Sequence, residues 1–580
     1  MNYISSLFSK RWDLPKSELA KKAIDSFSIT EKTLFGFFGA VFVISSIALL
    51  YKVNTSFMVE VPDRGGELSE GIIGSPRFVN PLLAMSDADK DITSLVYSGL
   101  MKVTADGTLR PDLAQEYAVS SDGLTYTFTL KSDATFHDGE PVTTDDIIFT
   151  IEKAQDATLK SPKRGSWDGI TVAKISDTEV QFILKQPYGP FLENTTLGIL
   201  PKHIWKDATS EQFSFSEYNI EPIGSGPYRV KSVRKNSAGI PIGYTLKSFS
   251  DYALGEPYVS ALSIQFYTDE KALSSALSKG DVESGYGLSA ETAHALEEKG
   301  SRIEKSILPR TFAVFFNQSQ APVFANKEVR RALNASVNKD AIVSSVLFGY
   351  GHSIDGPIPA EATSADSRTE DERIAEATAI LTKAGWTRTS TSSGEWIKKD
   401  KKSTQKLSFS IATGDAPELK AAAQMIVQDW TKLGAQVDLQ IYETGDLNQN
   451  IIRPRKYDAL FFGEVIGRNL DFYPFWHSSQ RTDPGLNIAT YVNSSVDKLL
   501  EDARGTSDES IRDKKYEEFA SIIKEDQPVV FVYAPSFLYV LPSKMKGVHV
   551  GELTTPSERF ANIEEWYIAT SNIWNIFNKQ

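Results

Sequence analysis

The side chains that most often do chemistry in proteins are dispersed along this chain. Its six histidines lie far apart, and none belongs to H-E-x-x-H or to another short spacing that binds a metal ion. There is no cysteine, which excludes disulfides, thiol catalysis, iron–sulfur clusters and zinc sites built on cysteine. We therefore expect neither a metal site nor a cofactor.

Hydrolytic chemistry also lacks a recognisable motif. The segment Gly224–Pro227 (GSGP) matches neither the nucleophile motif G-x-S-x-G nor the phosphate-binding motif G-x-x-x-x-G-K-[ST], and it predicts a tight turn. Aspartate and glutamate number 75 together, so composition alone leaves a glycosidase pair open. No local arrangement singles out such a pair. We expect no catalytic residues, and the protein is predicted not to be an enzyme.

Ligand binding has a clearer candidate, because a strand predicted at 457–462 is followed by Gly463, Glu464 and Val465. In open α/β sheets, ligands bind beyond the carboxyl ends of the strands. The loop from Gly463 onward is therefore a candidate binding site, and a plain connecting loop is the alternative.

The elements that must position this loop form a predicted βαβ unit. Apolar and polar residues alternate at 407–411 and again at 437–441, which is typical of strands. Between them, Asp415 can cap a helix that has Pro417 in its first turn and ends at Gly434. Two strands joined in this way are expected to be parallel, with a right-handed crossover.

Similar patterns occur earlier in the chain. Apolar residues alternate with threonines at 124–130, which predicts a strand, and Thr143 and Asp146 have the spacing of a helix cap with an acidic first turn. We therefore predict a mixed α/β fold. A chain of 580 residues is too long for one hydrophobic core, since single cores stop growing near ~250 to 300 residues, so two or three lobes are expected.

An uncharged segment near the N-terminus is long enough to cross a membrane. No charged residue stands between Lys32 and Lys52, and a helix over 34–51 would be about 27 Å long at ~1.5 Å per residue. Basic residues predominate before this segment and acidic residues follow it, so the positive-inside rule places 1–33 in the cytoplasm. Residues 52–65 are expected to form a linker to an extracytoplasmic main part.

A cleaved secretory signal is the alternative to a permanent anchor. The basic region before the apolar run is long for a signal, and no A-x-A-like cleavage site follows the run. Without cysteine the chain cannot be held as a lipoprotein, so the polypeptide itself must supply any anchor. The formal net charge of -13 argues against a nucleic-acid partner.

Motifs spread over residues 68–545 appear in a recognisable order and spacing. They are PRFVNP at 76–81, VYSGL at 96–100, PDLA at 111–114, SDGLTYTF at 121–128, FHDGEPVT at 136–143, PIGSGPY at 222–228, Phe316–Asn317, VRRAL at 329–333, GPIP at 356–359, AGW at 384–386, and Tyr516, Phe519, Asp526 and Pro528. Together they resemble the peptide- and nickel-binding type of bacterial extracellular solute-binding proteins, which serve ABC importers.

This resemblance implies an α/β fold of two lobes that close like a clamshell on a ligand, with a β-rich subdomain and one preceding transmembrane helix. Lobe I is expected over 66–309 with a return at 533–580, its subdomain at about 95–200, and lobe II over 310–532. The implied function is capture of peptides or peptide-like ligands and delivery to an ABC transporter permease. A membrane-anchored sensor or scaffold without transport, or a hydrolase on a similar two-lobed frame, are the alternatives.

The resemblance also implies ligand-binding residues. In the family's peptide binders, two segments pair with the backbone of the ligand. They correspond here to Gly74, Ser75, Pro76, Arg77 and Phe78, and to Phe462, Gly463, Glu464 and Val465.

One departure from the family pattern concerns charge. Peptide binders of this family usually carry an aspartate a few residues after the strand-end glycine, and it pairs with the α-ammonium group of the ligand. The acids nearest that place here are Glu464 and Asp471. Either one of them holds the ammonium group, or the ligand has no free amine and Arg468 binds an anionic group in a bidentate manner. A solvated Arg468 in a plain loop is the remaining alternative.

Overall fold

The computed structural model describes residues 17–359, 362–389, 394–399, 403–467, 470–506 and 508–577. Its helices are α1 (Ser17–Asp25), α2 (Ile29–Ser56), α3 (Asp87–Val96), α4 (Thr144–Gln155), α5 (Arg164–Trp167), α6 (Phe191–Asn194), α7 (Lys202–Trp205), α8 (Ser210–Phe213), α9 (Glu270–Lys279), α10 (Ala290–Glu298), α11 (Lys327–Ser336), α12 (Lys339–Val346), α13 (Glu370–Lys383), α14 (Pro417–Leu433), α15 (Thr444–Asp446), α16 (Tyr473–Trp476), α17 (Ser494–Gly505) and α18 (Glu509–Asp526).

Its strands are β1 (Met58–Pro62), β2 (Glu67–Ile73), β3 (Met101–Val103), β4 (Leu109–Pro111), β5 (Ala114–Val119), β6 (Thr125–Leu130), β7 (Thr171–Lys174), β8 (Glu179–Ile183), β9 (Tyr228–Lys235), β10 (Pro241–Ser248), β11 (Ala261–Tyr267), β12 (Ser284–Tyr286), β13 (Arg302–Ile307), β14 (Arg310–Phe316), β15 (Gly351–Ser353), β16 (Thr387–Arg388), β17 (Trp396–Lys399), β18 (Thr404–Lys406), β19 (Ser408–Gly414), β20 (Gln436–Tyr442), β21 (Ala459–Val465), β22 (Val529–Leu541) and β23 (Thr570–Trp574).

The chain divides into two compact units. The first consists of the residues up to Asp63 together with those from Thr570 onward, and the second is Arg64–Ala569. In the first unit, Ser28 caps α2 and forms a capping box with Glu31. At ~1.5 Å per residue its 28 residues extend about 42 Å. Within the described residues it is the one helix whose length and composition suit a membrane span, so the predicted apolar helix is confirmed with wider bounds.

Residues 52–65 are not an irregular linker throughout, as the sequence led us to expect. Helix α2 continues to Ser56, and Met58–Pro62 form β1, which pairs antiparallel with β23 near the other end of the chain. The short segment carries no local signal of a hairpin because its partner strand lies more than 500 positions away, at Thr570–Trp574.

In the second unit, a large sheet has the strand order β20-β19-β21-β14-β22-β12-β2-β11-β10-β9. Its longest strand, β22, pairs with β14 through Val529–Tyr533 and with β13 through Ser536–Leu541. Only Leu308 and Pro309 separate β13 from β14. The two halves of this sheet are therefore joined both by β22 and by the β13–β14 connection.

The hydrophobic clusters follow the same division. One cluster draws on residues 68–286 and 537–566, whereas two others draw on residues between 290 and 538. These clusters support the lobes proposed from the sequence, whose boundaries remain proposals.

Local predictions in the first half of the second unit are confirmed. Strand β6 belongs to an antiparallel sheet of order β5-β6-β8-β7, and its buried residues alternate as Tyr126, Phe128 and Leu130. Thr143 caps α4, and its backbone N–H donates to the Asp146 carboxylate at 2.8 Å. Both features are specified within a few residues of chain, which is why sequence alone predicts them.

The βαβ unit is confirmed with two corrections. Strands β19 and β20 are parallel, and α14 between them ends at Gly434, whose φ of +97° lies in the left-handed region. The cap is Ala416 and not Asp415. Proline lacks an N–H and is favoured at the first helical position, so the helix begins at Pro417 and the residue directly before it is the cap. The strand predicted at 457–462 is β21, which begins at Ala459 and extends to Val465 because its pairing with β14 covers these residues.

Candidate functional site

The end of β21 is a strand edge that is paired on one side. Phe462 to Val465 lie opposite Ala313 to Arg310 of β14. On the other side, β19 pairs with β21 only at Ala459 and Leu460. In the described part of the chain, no strand continues that pairing along the last residues of β21, so their other edge can accept an extended ligand.

Gly463 is required by its neighbour across the sheet. A Cβ atom on this residue would lie 2.7 Å from the ring of Phe312, so this ring would have to move. Phe312 is itself stacked on Tyr533 of β22, with ring centroids 5.0 Å apart. The absence of a side chain therefore holds β21 close to β14 where the candidate site begins.

Glu464 is a buried acid, and its Oε1 atom has no hydrogen-bond partner among the described residues. It is 5 % exposed and lies opposite Thr311, which is fully buried. Neither Glu464 Oε1 nor Thr311 Oγ1 has a hydrogen-bond partner among the described residues. Burial raises the pKa of Glu464 well above its usual range, which favours the neutral acid in the unliganded protein. Strongly perturbed acids of this kind concentrate at functional sites.

Arg310 lies opposite Val465 at the same end of the strand pair, and its Nε atom also lacks a partner in the part of the chain described. Burial lowers the pKa of Arg310, and the negative charge of Asp87 opposes this shift. Asp87 is in the first turn of α3, the helix that follows the candidate segment 74–78. The electrostatic contact therefore links the neighbourhoods of the two candidate segments.

The first part of segment 74–78 is fixed by neighbouring strands. Gly74 has a φ of +90°, and its N–H donates to the Tyr267 carbonyl at 2.8 Å. The Ser75 hydroxyl donates to the Pro241 carbonyl at 2.5 Å. Both residues are exposed, whereas Pro76 is buried. This part of the segment presents main-chain groups at a rigid position.

The second part is held by Asp89 of α3. Its Oδ1 atom accepts the backbone N–H groups of Arg77 at 2.6 Å and Phe78 at 2.8 Å. These two N–H groups are therefore occupied within the protein and are not free for a ligand backbone. The exposed guanidinium of Arg77 lies over the Phe78 ring, 5.0 Å from its centroid, and is the charged group that this segment can present.

Asp471 has a partner within the protein. Its carboxylate lies 3.0 Å from Arg504, whose guanidinium stacks over Tyr473. Burial raises the pKa of Tyr188, and the nearby charge of Asp471 adds to the shift, so the β-rich part of the first lobe reaches this ion pair. Asp471 can bind a ligand amine only by exchanging its arginine. Arg468 lies outside the described residues.

A cavity of about 460 Å³ in the first lobe brings together residues that the sequence did not predict as binding residues. Lys90, Thr93 and Tyr97 of α3 and its C-cap share one helix face toward it, and Asp112 and Lys163 are among its other polar lining residues. Thr93 Oγ1, the Tyr97 hydroxyl and Asp112 Oδ1 have no partner among the described residues. The signal that could have revealed this face is the i, i+3, i+7 spacing of the three polar residues.

Two lysines of this cavity act on each other through their charges. Burial lowers the pKa of Lys163, and the charge of Lys90 lowers it further, so an acidic ligand group near both would be stabilised. Burial raises the pKa of Asp112 to about 6, although Lys102 opposes the shift.

A larger cavity of about 880 Å³ lies among α11, α13 and α18. Charged residues there form ion pairs with each other, Lys339 with Asp355 and Arg368 with Asp366. We therefore do not assign this cavity to the site. No group of three or more histidine, aspartate or glutamate residues in the described ranges is arranged to hold a metal ion.

Comparison with known proteins decides the family. Residues 108–485 match the bacterial extracellular solute-binding proteins, family 5. The chain belongs to this family. It is 30% identical over 520 residues to the oligopeptide-binding protein AppA of Bacillus subtilis, a match that covers 88% of this chain and 92% of AppA.

Solved structures agree with this assignment. AppA from Bacillus subtilis in complex with a nonapeptide matches with a TM-score of 0.65 and 29% identity, covering 88% of this chain and 100% of AppA. The ABC transporter substrate binding protein CtaP of Listeria monocytogenes matches with a TM-score of 0.72 and 25% identity, covering 87% and 99% of the two chains. The family and the two-lobed α/β fold expected from the sequence are confirmed, and the protein is a solute-binding receptor of the ABC-importer type.

Proposed function

We propose that this protein captures peptides or peptide-like ligands between its two lobes and delivers them to the permease of an ABC importer. The observation that carries the proposal is the one-sided end of β21, where Phe462 to Val465 pair with β14 alone. A peptide that adds there is held through its main chain whatever its side chains are. The peptide bound by the related AppA supports this ligand class.

Glu464 is the residue that we propose for the ligand's ammonium group. It is buried, and in the described part of the chain its Oε1 atom has no partner, whereas Asp471 is already paired with Arg504. Acidic ligand groups would find Arg77 in segment 74–78, and Lys90 and Lys163 in the first-lobe cavity. Binding of an anionic group by Arg468 remains the competing proposal.

We also propose that α2 anchors the receptor in the cytoplasmic membrane, with residues 1–33 in the cytoplasm and the second unit outside. The helix is 28 residues long, it contains an 18-residue stretch with a mean hydropathy of 2.2, and none of its residues is buried in the protein. The excess of basic residues before it supports this orientation.

The ligand proposal is tested by purifying residues 53–580, which retain both β1 and β23, from cells grown in rich medium. Mass spectrometry of the material released on unfolding should detect peptides or peptide-like compounds. A released ligand without amide groups would contradict the proposal. Uptake of the identified ligand should fall when the full chain is deleted and recover when it is restored, which an anchored sensor without transport would not show.

The anchor proposal has a separate test. The mature protein should keep its N-terminus and partition with membranes, and removal of residues 1–52 should release a soluble receptor. A mature N-terminus anywhere after Tyr51 would show that the apolar helix is a cleaved signal.

A further inference from the structure

Strand β23 and the residue that follows it are fixed beside the last turn of α2. Strand β23 pairs with β1 so that Trp574 lies opposite Met58. The Trp574 indole donates to Asn54 Oδ1 at 2.9 Å, and its ring stacks on Phe57 with centroids 6.3 Å apart. The backbone N–H of Asn575 donates to the Phe57 carbonyl at 2.9 Å. Five residue pairs and these three contacts hold β23 at the level where α2 stops.

The side chains at this level are large, apolar and exposed. Tyr51 is 70% exposed, Phe57 57%, Trp574 43% and Ile576 77%. Tryptophan and tyrosine are enriched where proteins meet the membrane–water interface, because their rings have both apolar and polar parts. The four side chains therefore have the composition of an interfacial belt.

Helix length places this belt at the membrane surface. Helix α2 is about 42 Å long, whereas a hydrocarbon core is ~30 Å thick. Its uncharged stretch ends at Lys52, so the last turn of the helix lies in the headgroup layer when the uncharged stretch fills the core. The sequence has no charged residue at 53–59 or at 570–577, which are the two stretches beside each other at this level.

We propose that Trp574 and Ile576 form a second contact with the lipid bilayer, in the headgroup interface of the outer leaflet beside Phe57. The receptor then leaves the membrane as a pair of hydrogen-bonded strands, β1 and β23, which are both held at the lipid surface. This inference rests on the proposed anchoring by α2, and lipid is the occupant because the belt is continuous with that helix.

The natural chain has no cysteine, so single spin labels can be attached at introduced cysteines in the full-length protein. We would label Ile576→Cys in phosphatidylcholine nanodiscs and measure the collision of the label with oxygen and with a water-soluble nickel chelate. Ile44→Cys in the middle of α2 is the lipid reference. Asn572→Cys, on the same strand and opposite Glu60, is the water reference.

The label at Ile576 should collide with oxygen more than with the nickel chelate, and the ratio of the two collision rates should lie between those of the Ile44 and Asn572 labels. A label at Ile576 that behaves like the one at Asn572 would overturn the second contact and leave the anchor intact. Low collision with both reagents would mean that protein covers Ile576, which also overturns the lipid contact. A water-exposed label at Ile44 would instead overturn the anchor itself.

Discussion

Replacement of Glu464 by glutamine is the sharpest test of how the site recognises charge. The substitution keeps the shape of a side chain that is 5 % exposed and removes its ability to ionise. Peptides with a free N-terminus should bind much more weakly to the variant, whereas N-acetylated peptides, which lack the ammonium group, should bind to both proteins with similar affinity.

The magnitude follows from burial. Among the described residues, Glu464 Oε1 has no hydrogen-bond partner, so this carboxylate is available to pair with a bound ammonium group. An ammonium group left buried and unpaired costs about 2 to 5 kcal/mol. This corresponds to a loss of affinity of roughly 30- to 5000-fold at ~1.4 kcal/mol per tenfold change.

Glu464→Gln should stabilise the unliganded protein although it weakens ligand binding. The folded-state pKa of Glu464 is raised, so the folded protein binds more protons than the unfolded chain, and it loses stability as pH rises above the unfolded value of 4.5. Glu464→Gln should remove this loss and unfold at a higher urea concentration than the wild type at pH 7. A variant that binds weakly because it is misfolded would show the reverse.

Titration calorimetry on both proteins with both forms of one peptide completes a double-mutant cycle. Free and acetylated peptides that lose affinity equally on Glu464→Gln would refute the assignment. Asp471→Asn is the matched control, since its ion pair with Arg504 is outside the proposed ammonium contact. If Arg468→Ala is the damaging change instead, the ligand presents an anionic group to this loop.

Three further predictions concern pH and motion. His137 accepts the Gly224 N–H at 3.4 Å, and burial lowers its pKa to about 4, below the unfolded value of 6.5. The unfolded chain therefore binds more protons, and the unfolding free energy of the soluble receptor should fall by about 2 kcal/mol from pH 8 to pH 5. Urea titration of His137→Gln should not show this loss. Asp112 affects stability in the opposite sense, because its pKa is raised from 3.8 to about 6 and its ionisation above pH 6 destabilises the folded protein. In the same assay above pH 6, Asp112→Asn should therefore gain up to about 3 kcal/mol of unfolding free energy. Ligand should compact the receptor in X-ray scattering and raise its melting temperature, and unchanged scattering at saturation would contradict closure of the lobes.

Features specified over a few residues could be predicted from the sequence. The alternation in β6, the Thr143–Asp146 cap of α4 and the Gly434 end of α14 each depend on neighbours in the chain. The apolar helix α2 is of the same kind, since its length and composition identify it without any tertiary partner.

Features that depend on distant partners could not be predicted in this way. The β1–β23 pair joins residues more than 500 positions apart, and β21 extends to Val465 only because β14 continues beside it. The cavity at Lys90 and Lys163 is formed when α3 meets a loop about seventy residues away. Such pairings have no signature in either segment alone.

The candidate site lies between these two cases. Its position at the end of a strand follows from the general topology of α/β sheets, so Glu464 could be named from the sequence. Its burial and raised pKa could not, because they depend on β14 and on the cores that surround it. Thr311 and Arg310 were missed for the same reason, since each becomes informative only through its register with β21.

The unpartnered atoms at this place are themselves an argument for a ligand. More than nine in ten buried polar groups in folded proteins have a hydrogen-bond partner, because an unpaired one costs free energy. Glu464 Oε1, Thr311 Oγ1 and Arg310 Nε lack one among the described residues, and they lie on consecutive pairs of the same two strands. The edge of β21 loses its neighbour β19 just before these pairs begin. A peptide would supply both the missing strand neighbour and the missing polar partner, with its main chain along the edge of β21 and its terminal ammonium group at Glu464. Such a site recognises the peptide backbone, so one short stretch of sheet can bind peptides of many sequences.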